Sequence, residues 1–272
     1  MTVSPILDAH THAFPDAIAG SAMAKLTAGA RHVPIRPSHD GTVRGLLALM
    51  DRAGLRRAFV LSVATRPEQV TKITDWAVSI ASDRLIPFAS IHPDFPDPEG
   101  EALRMARRGL RGLKFHPHFM NCAADDPRAL RVARAAEAAG LAMVFHAGYD
   151  VAFPDDDRAA PERLLRVHEA VPGLRLLLAH FGGWRAWDRV LKHLAGRPIY
   201  LETSWLEGFC APDLLHAILA RHDPRFVLFG TDAPWGDPGA GLAHFERLPI
   251  AEADRPGVLW ENAHRFAGLT AR

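Results

Sequence analysis

Near the amino terminus, Asp8-Ala9-His10-Thr11-His12 follows the short apolar pair Ile6-Leu7, which reads as the end of a first strand. Residues two apart on a strand point to the same face, so His10 and His12 present two imidazoles side by side. Neutral imidazole is the commonest protein ligand for zinc and similar divalent ions, and this spacing suits chelation of one ion. A lone His-x-His is weak, because two unrelated histidines explain it equally well. It gains force when other strand ends supply further ligands. Gly112-Leu113-Lys114-Phe115-His116 puts Lys114 and His116 on one strand face, Met143-Val144-Phe145 ends in His146, and Leu176-Leu177-Leu178-Ala179 ends in His180. Phe226–Phe229 leads to Asp232. A buried imidazole needs partners for both nitrogens, so closing a core strand with one is costly unless it binds something. Any one of these could be a satisfied core histidine; their recurrence at the same topological place argues for a site.

The elements that must carry these residues alternate along the whole chain. Apolar runs lie at Ile6–His10, Ala58–Leu61, Leu85–Ile91, Gly112–Phe115, Ala142–His146, Leu174–His180, Ile199–Glu202 and Phe226–Phe229. Between them, helical patterns are predicted over Val43–Ala53, Pro67–Ala81, Pro98–Arg108, Pro127–Ala139, Pro161–Ala170, Trp184–Leu194 and Pro212–Ala220, with a last helix over Glu261–Gly268. The strands are continuously apolar, as expected when helices cover one face and a barrel interior fills the other. Eight β/α units in 272 residues predict a TIM (β/α)8 barrel, a single domain over 1–272. An open doubly wound sheet is the runner-up, weakened by the lack of a Gly-x-Gly-x-x-Gly turn after an early strand. The stretches Ala13–Gly41 and Asp150–Ala160 are expected to be irregular, shaping a pocket or lying in solvent.

Composition removes several classes. Lys plus Arg number 32 against 31 Asp plus Glu, so no global field argues for nucleic acid. Cys122 and Cys210 have neither disulfide-framework nor Cys-x-x-Cys spacing and read as incidental thiols. The first strand begins within a few residues of Met1, leaving no room for a signal peptide, and no apolar run nears the roughly 18 residues that span a bilayer. A soluble, cytoplasmic protein with a small-molecule substrate and no nucleic-acid or membrane partner is expected.

The ordered set His-x-His, Lys, His, His, Asp resembles the amidohydrolase superfamily of metal-dependent hydrolases. Local sequences match as well: Asp8-Ala9-His10-Thr11-His12, Ala179-His180-Phe181-Gly182-Gly183 and Phe229-Gly230-Thr231-Asp232-Ala233-Pro234. The closing Glu261-Asn262-Ala263 with Phe266 resembles the C-terminal helix of the amidohydrolase-2, or amidohydrolase-related, branch. The resemblance spans essentially the whole chain and implies a distorted TIM barrel holding one or two divalent ions, usually zinc. It implies His10, His12, His146 and Asp232 as ligands of the main metal, with Asp232 also receiving the proton of the attacking water. His180 would bind a second ion in two-metal members or orient substrate or water in one-metal members. The segment Gly112-Leu113-Lys114 resembles that of two-metal members in which the lysine is carboxylated and bridges the ions. Many amidohydrolase-2 members use one metal, and a cationic Lys114 would then bind a substrate carboxylate or phosphate. Relatives are often dimers or larger, so self-association is expected by analogy alone.

The leading expectation is a hydrolase acting on an amide, lactone or related carbon–heteroatom bond. The alternative is a metal-dependent non-oxidative decarboxylase of an aromatic or unsaturated carboxylic acid, because the branch also contains such lyases. A barrel that has lost activity is disfavoured by the intact set of costly polar groups. Lys114, His116 and Trp235 are expected to face substrate, Trp184 to sit on a pocket loop, and Glu202 to orient a ligand histidine. His92 is expected to line the pocket without a catalytic role, and His118 to lie at the pocket rim or in solvent. His32, His39, His168, His193, His216, His222, His244 and His264 read as surface residues.

Overall fold

Among the described residues, eight short parallel strands follow one another in chain order: β1 (Leu7–Thr11), β2 (Arg57–Leu61), β3 (Leu85–Phe88), β4 (Gly112–Phe115), β5 (Ala142–Phe145), β6 (Leu176–Leu178), β7 (Tyr200–Glu202) and β8 (Val227–Leu228). The computed structural model describes residues 5–30 and 33–270. The strands form a sheet β1-β2-β3 and a sheet β4-β5-β6-β7-β8. Single bridges join the two sheets, Ala89 to Leu113 on one side and Thr11 to Ala233 on the other. Across the second seam Ala9 N donates to Phe229 O at 2.9 Å and Asp232 N to His10 O at 2.7 Å. The ring of strands is therefore closed but distorted, a TIM barrel with two weak seams.

Ten helices among the described residues flank it: α1 (Asp16–Gly29), α2 (Val43–Ala53), α3 (Val70–Ile80), α4 (Pro98–Arg107), α5 (Pro127–Ala138), α6 (Pro161–Ala170), α7 (Trp187–His193), α8 (Pro212–Arg221), α9 (Pro238–Phe245) and α10 (Asn262–Ala267). Proline stands at the first helical position of α4, α5, α6, α8 and α9, where its missing N–H costs nothing. Asp97, Asp126 and Asp237 cap three of these by accepting from backbone N–H groups of the first turn. Two helices depart from the sequence reading. α1 occupies half of the stretch expected to be irregular; its Ala- and Gly-rich sequence carries no apolar stripe, and only Ala19 and Met23 are buried. α9, between Asp237 and Glu246, has the same character: it is short and half Gly and Ala, with only Pro238 and Phe245 buried.

Period-two alternation on the strands sorts side chains between two cores. Leu113, Phe115, Met143 and Phe145 pack outward with the helices. Ala142, Val144, Phe59, Leu61 and Phe88 form an inner cluster with Trp260 and Phe266. Gly112 has no side chain because one would collide with Ala142 O and the Phe88 ring at 2.4 Å. The same inner parity continues to Lys114 on β4, to His116 just past it and to His146 just past β5, so core alternation aims these polar groups into the barrel.

Phe266 plugs the end of the barrel opposite those groups. Its ring stacks on Phe88 at 6.0 Å and meets Tyr200 at 5.2 Å and Phe59 at 6.1 Å. His264, expected at the surface, is fully buried here: Nδ1–H donates to Trp260 O at 2.8 Å and Nε2 accepts from Arg57. His222 is likewise buried, bridging Ile199 O and Gly196 N. Both are core histidines whose two nitrogens are satisfied, a pairing between distant segments that helical periodicity cannot reveal. His32 lies outside the described residues. Removing the plug in Phe266→Ala should cost about 3–5 kcal/mol in urea unfolding. Metal bound per folded chain should be unchanged, and a loss under about 1 kcal/mol would mean that the plug carries little of the stability.

Candidate metal centre

His10 and His12 meet at the top of β1, where the register against β2 shifts between Asp8 and Thr11. Their Nε2 atoms are 3.2 Å apart, and Asp232 Oδ1 stands 3.2 Å from the first and 3.0 Å from the second. The outer nitrogens decide the tautomers. His12 Nδ1 is 2.7 Å from Leu61 O, and a carbonyl only accepts, so Nδ1 carries the proton. His10 Nδ1 is 2.8 Å from Glu202 Oε1, which fixes its proton in the same way. In the neutral rings both Nε2 atoms are lone pairs, and they converge on a carboxylate oxygen with no hydrogen to share. Such a triad repels itself unless a cation lies among its three atoms. Donors bound to one ion at about 2.1 Å stand about 3.0–3.4 Å apart, so the observed separations fit a divalent ion.

Asp232 reaches this place because the β1–β8 seam is tied from within. Asp8 is fully buried; its carboxylate accepts from His10 N and Thr231 N, both at 3.0 Å, and from the Thr231 hydroxyl. Asp232 follows with φ 64, a left-handed backbone that a non-glycine residue adopts only under outside constraint. Burial works against ionisation of Asp232, and positive charge at the His10 and His12 nitrogens facing it, whether from a proton or from an ion, is what holds its carboxyl well below the usual range. Burial keeps His10 neutral, far below an ordinary histidine. A neutral imidazole and an ionised carboxylate are the forms that bind metal.

His180 and His146 face each other beside this triad, His180 Nε2 lying 3.2 Å from His146 Nδ1. His146 Nε2 donates to Tyr149 O at 3.0 Å, and His180 Nδ1 to Ser204 Oγ at 2.8 Å, so the two facing nitrogens are again both lone pairs. His146, expected with His10 and His12, is therefore one imidazole away from them. His180 sits in a left-handed turn with φ 54, held by its N–H on Glu202 Oε1 and by Trp187 Nε1 on its carbonyl. Glu202 is the hub: with no exposed surface, it accepts from His10, from the His180 backbone, and from both the N–H and hydroxyl of Ser204. Its expected orienting role towards a ligand histidine thus extends, through Ser204, to His180.

Lys114 is 1% exposed and, among the described residues, its Nζ has no hydrogen-bond partner. Burial pulls it down to about 8, against the pull of Asp232, Glu202 and Asp150. His116 stacks on His146 at 4.1 Å, with its Nε2 3.4 Å from Asp150 Oδ2. His116, His146 and Asp150 could be taken for a second chelating set. Near-parallel rings do not aim two lone pairs at one point, and His146 Nε2 is already a donor to Tyr149 O. Asp150 is better described as a carboxylate beside His116 whose Oδ1 accepts from Ala152 N.

The groups open into one cavity, walled on the apolar side by Phe14, Phe119, Tyr149, Trp184, Trp205 and Trp235. Leu26 and Ile35 from the segment containing α1, and Val151 and Ala152 from the loop after β5, also line it, so both stretches expected to be irregular shape the pocket. Gly148 makes the second loop possible: with φ +84 it passes so close to Trp184 that a Cβ would stand 2.2 Å from the Trp184 backbone nitrogen. His118 and His92 are buried but do not line the cavity. Trp205, Ser204 and Asp150 belong to the site without having been expected; each depends on a long-range contact that no local motif marks.

No curated protein matches the sequence. Among solved structures, an uncharacterised TIM-barrel protein from Bordetella bronchiseptica superposes with TM-score 0.75 at 20% identity, covering 97% of this chain and 99% of that one. A 5-carboxyvanillate decarboxylase from Novosphingobium aromaticivorans, with bound manganese, gives TM-score 0.72 at 13% identity and 97% of each chain. A probable 2-pyrone-4,6-dicarboxylic acid hydrolase from Acinetobacter baumannii gives 0.64 at 14% identity, over 97% of this chain and 99% of that one. Among the described residues no helix is long and apolar enough to cross a membrane. The amidohydrolase family model of the amidohydrolase-2 branch matches residues 7–269, and the chain belongs to that family.

Proposed function

We propose that this chain is a metal-dependent, non-oxidative decarboxylase of a small aromatic or unsaturated carboxylic acid. The observation that carries the reading is Lys114: a buried amine without a partner, on the inner face of the barrel, opening into an aromatic-walled cavity beside the metal triad. An unsatisfied buried ammonium is costly, and a substrate carboxylate is the ligand that would relieve it. The manganese-containing decarboxylase among the structural matches supports the same reaction class.

In this reading His10, His12 and Asp232 hold the ion, zinc or manganese, which would supply a Lewis acid for substrate oxygens. Lys114 binds the carboxylate and the aromatic walls hold the substrate plane. His180 Nε2, oriented through Ser204 and Glu202, takes up a proton from solvent when the substrate binds and delivers it to the carbon that bears the carboxylate. The carbon–carbon bond breaks as that proton adds, its electron pair forms the new carbon–hydrogen bond, and carbon dioxide leaves. His180 is reprotonated from solvent.

One observation favours hydrolysis instead. The facing lone pairs of His146 Nδ1 and His180 Nε2 would take a second ion if Lys114 were carboxylated and completed the set. Metal analysis with and without bicarbonate separates the two. The decarboxylase reading expects one ion per chain, indifferent to bicarbonate and retained in Lys114→Ala. Two ions that require bicarbonate and vanish in Lys114→Ala would overturn it in favour of a hydrolase, and no ion after metal supplementation would overturn both.

Activity provides a second test. Carbon dioxide release from a panel of hydroxylated benzoates and unsaturated diacids should be detectable, and Lys114→Met should raise KM about 10-fold or more for the best of them, the effect of removing a charged hydrogen-bond partner. An unchanged KM would remove Lys114 from carboxylate binding. Metal itself should stabilise the fold: at a free concentration 100 times its Kd the ion adds about 2.7 kcal/mol. Asp232→Ala should lose most of that gain in thermal unfolding.

A further inference from the structure

The second oxygen of Asp232 is held by a residue that no motif marks. Trp205, two residues past the Thr203 that follows β7, donates its Nε1–H to Asp232 Oδ2 at 2.7 Å, while Oδ1 faces His10 and His12. The indole is anchored on its other sides, by Trp184 at 6.3 Å edge-to-face and by Phe209 at 5.5 Å. Both hydrogen-bonded residues have left-handed backbones, φ 59 at Trp205 and φ 64 at Asp232, so each is set in place by more than local preference. The Trp205 ring also lines the cavity.

We propose that Trp205 is a positioning residue for the metal carboxylate: its N–H holds Oδ2 of Asp232, so that Oδ1 alone is presented between His10 and His12. A free carboxylate rotates about its last torsion and offers either oxygen or both. With one oxygen fixed by a rigid donor, rotation is blocked and the carboxylate is a one-oxygen ligand. Partners that orient a metal ligand in this way typically account for 10–100-fold in affinity. The same hydrogen bond occupies one lone pair of Oδ2, which makes that oxygen a poorer proton acceptor than an unbonded carboxylate oxygen. The proposal rests on the reading that His10, His12 and Asp232 hold a divalent ion.

The test is metal affinity, measured by competition of zinc or manganese between the full chain and a chelator. Trp205→Phe keeps the ring against Trp184 and Phe209 and removes only the donor; affinity should fall about 10-fold or more, with the thermal midpoint of the metal-free protein little changed. Trp184→Phe is the control: it alters the neighbouring ring, whose Nε1 has no partner among the described residues, and should leave affinity within about twofold. Equal affinity in wild type and Trp205→Phe, or an equal fall in both variants, would overturn the proposal while leaving the metal reading intact. Absence of binding to the wild-type chain would overturn the metal reading itself and this assignment with it. If Trp205→Phe does not fold, the wild-type indole N–H resonances decide. That of Trp205, assigned through its own backbone, should shift on zinc loading well beyond that of Trp184, and equal or absent shifts would overturn the proposal.

Discussion

At the centre of this barrel, acceptors meet with no proton between them. Leu61 O, Tyr149 O and the Glu202 carboxylate can only accept, so they draw the protons of His12, His146 and His10 to the outer nitrogens. Ser204, whose own hydroxyl hydrogen goes to Glu202, does the same for His180. What remains facing inward is a set of lone pairs beside an ionised carboxylate. In a low-dielectric interior such a set is unfavourable by itself, and a cation is its natural complement. The second layer of acceptors therefore matters as much as the ligands: without Glu202 the tautomers of two histidines on different strands would be free to change.

That arrangement depends on barrel closure. His12 and Asp232 are 220 positions apart, yet 3.0 Å separates their ligand atoms. Backbone bonding across the β1–β8 seam is sparse, and Asp8 reinforces it from inside by accepting from His10 N on one side and from Thr231 N, next to Asp232, on the other. Opposite, Phe266 and its aromatic neighbours fill the barrel bottom with apolar contacts, edged by the hydrogen-bonded His264 and Arg57. Stability and chemistry are thus separated along the barrel axis, as the strand alternation requires: the same inward parity that buries Ala142 and Val144 at one end aims His146 at the other.

Much of this was legible in the sequence because it is local. Proline at helix starts and apolar strand runs place most elements within one or two residues, and a polar residue closing an apolar run marks a strand end at the site. The misses share a physical cause. α1 and α9 are small-residue helices that bury little, so they have no periodic stripe to read. His222 and His264 lie in helical or loop sequence and look like surface residues, but their partners are on segments distant in sequence. Trp205, Ser204 and Asp150 gain meaning only from where folding brings Asp232, His180 and His116. Motif spacing shows which residues can act, whereas tautomer and orientation are set by contacts that spacing does not encode.

The choice between the two chemistries of this family then narrows to one nitrogen. As an ammonium, Lys114 offers charge to an anionic substrate; as a carboxylated lysine it would become an oxygen ligand between two ions. Burial favours neither outright, because it lowers the charge on the amine without giving it a partner, and only a neutral amine can take up carbon dioxide. The surrounding groups tilt the balance. Asp232, Glu202 and Asp150 all favour the cation, and the first two are already engaged by Trp205, His10, His12, His180 and Ser204. A further carboxylate formed on Lys114 would bring another negative charge among these three, tolerable only if a second cation arrived with it. A substrate carboxylate meeting an ammonium needs no such additional ion, and that difference in charge is the physical ground of the proposed decarboxylation.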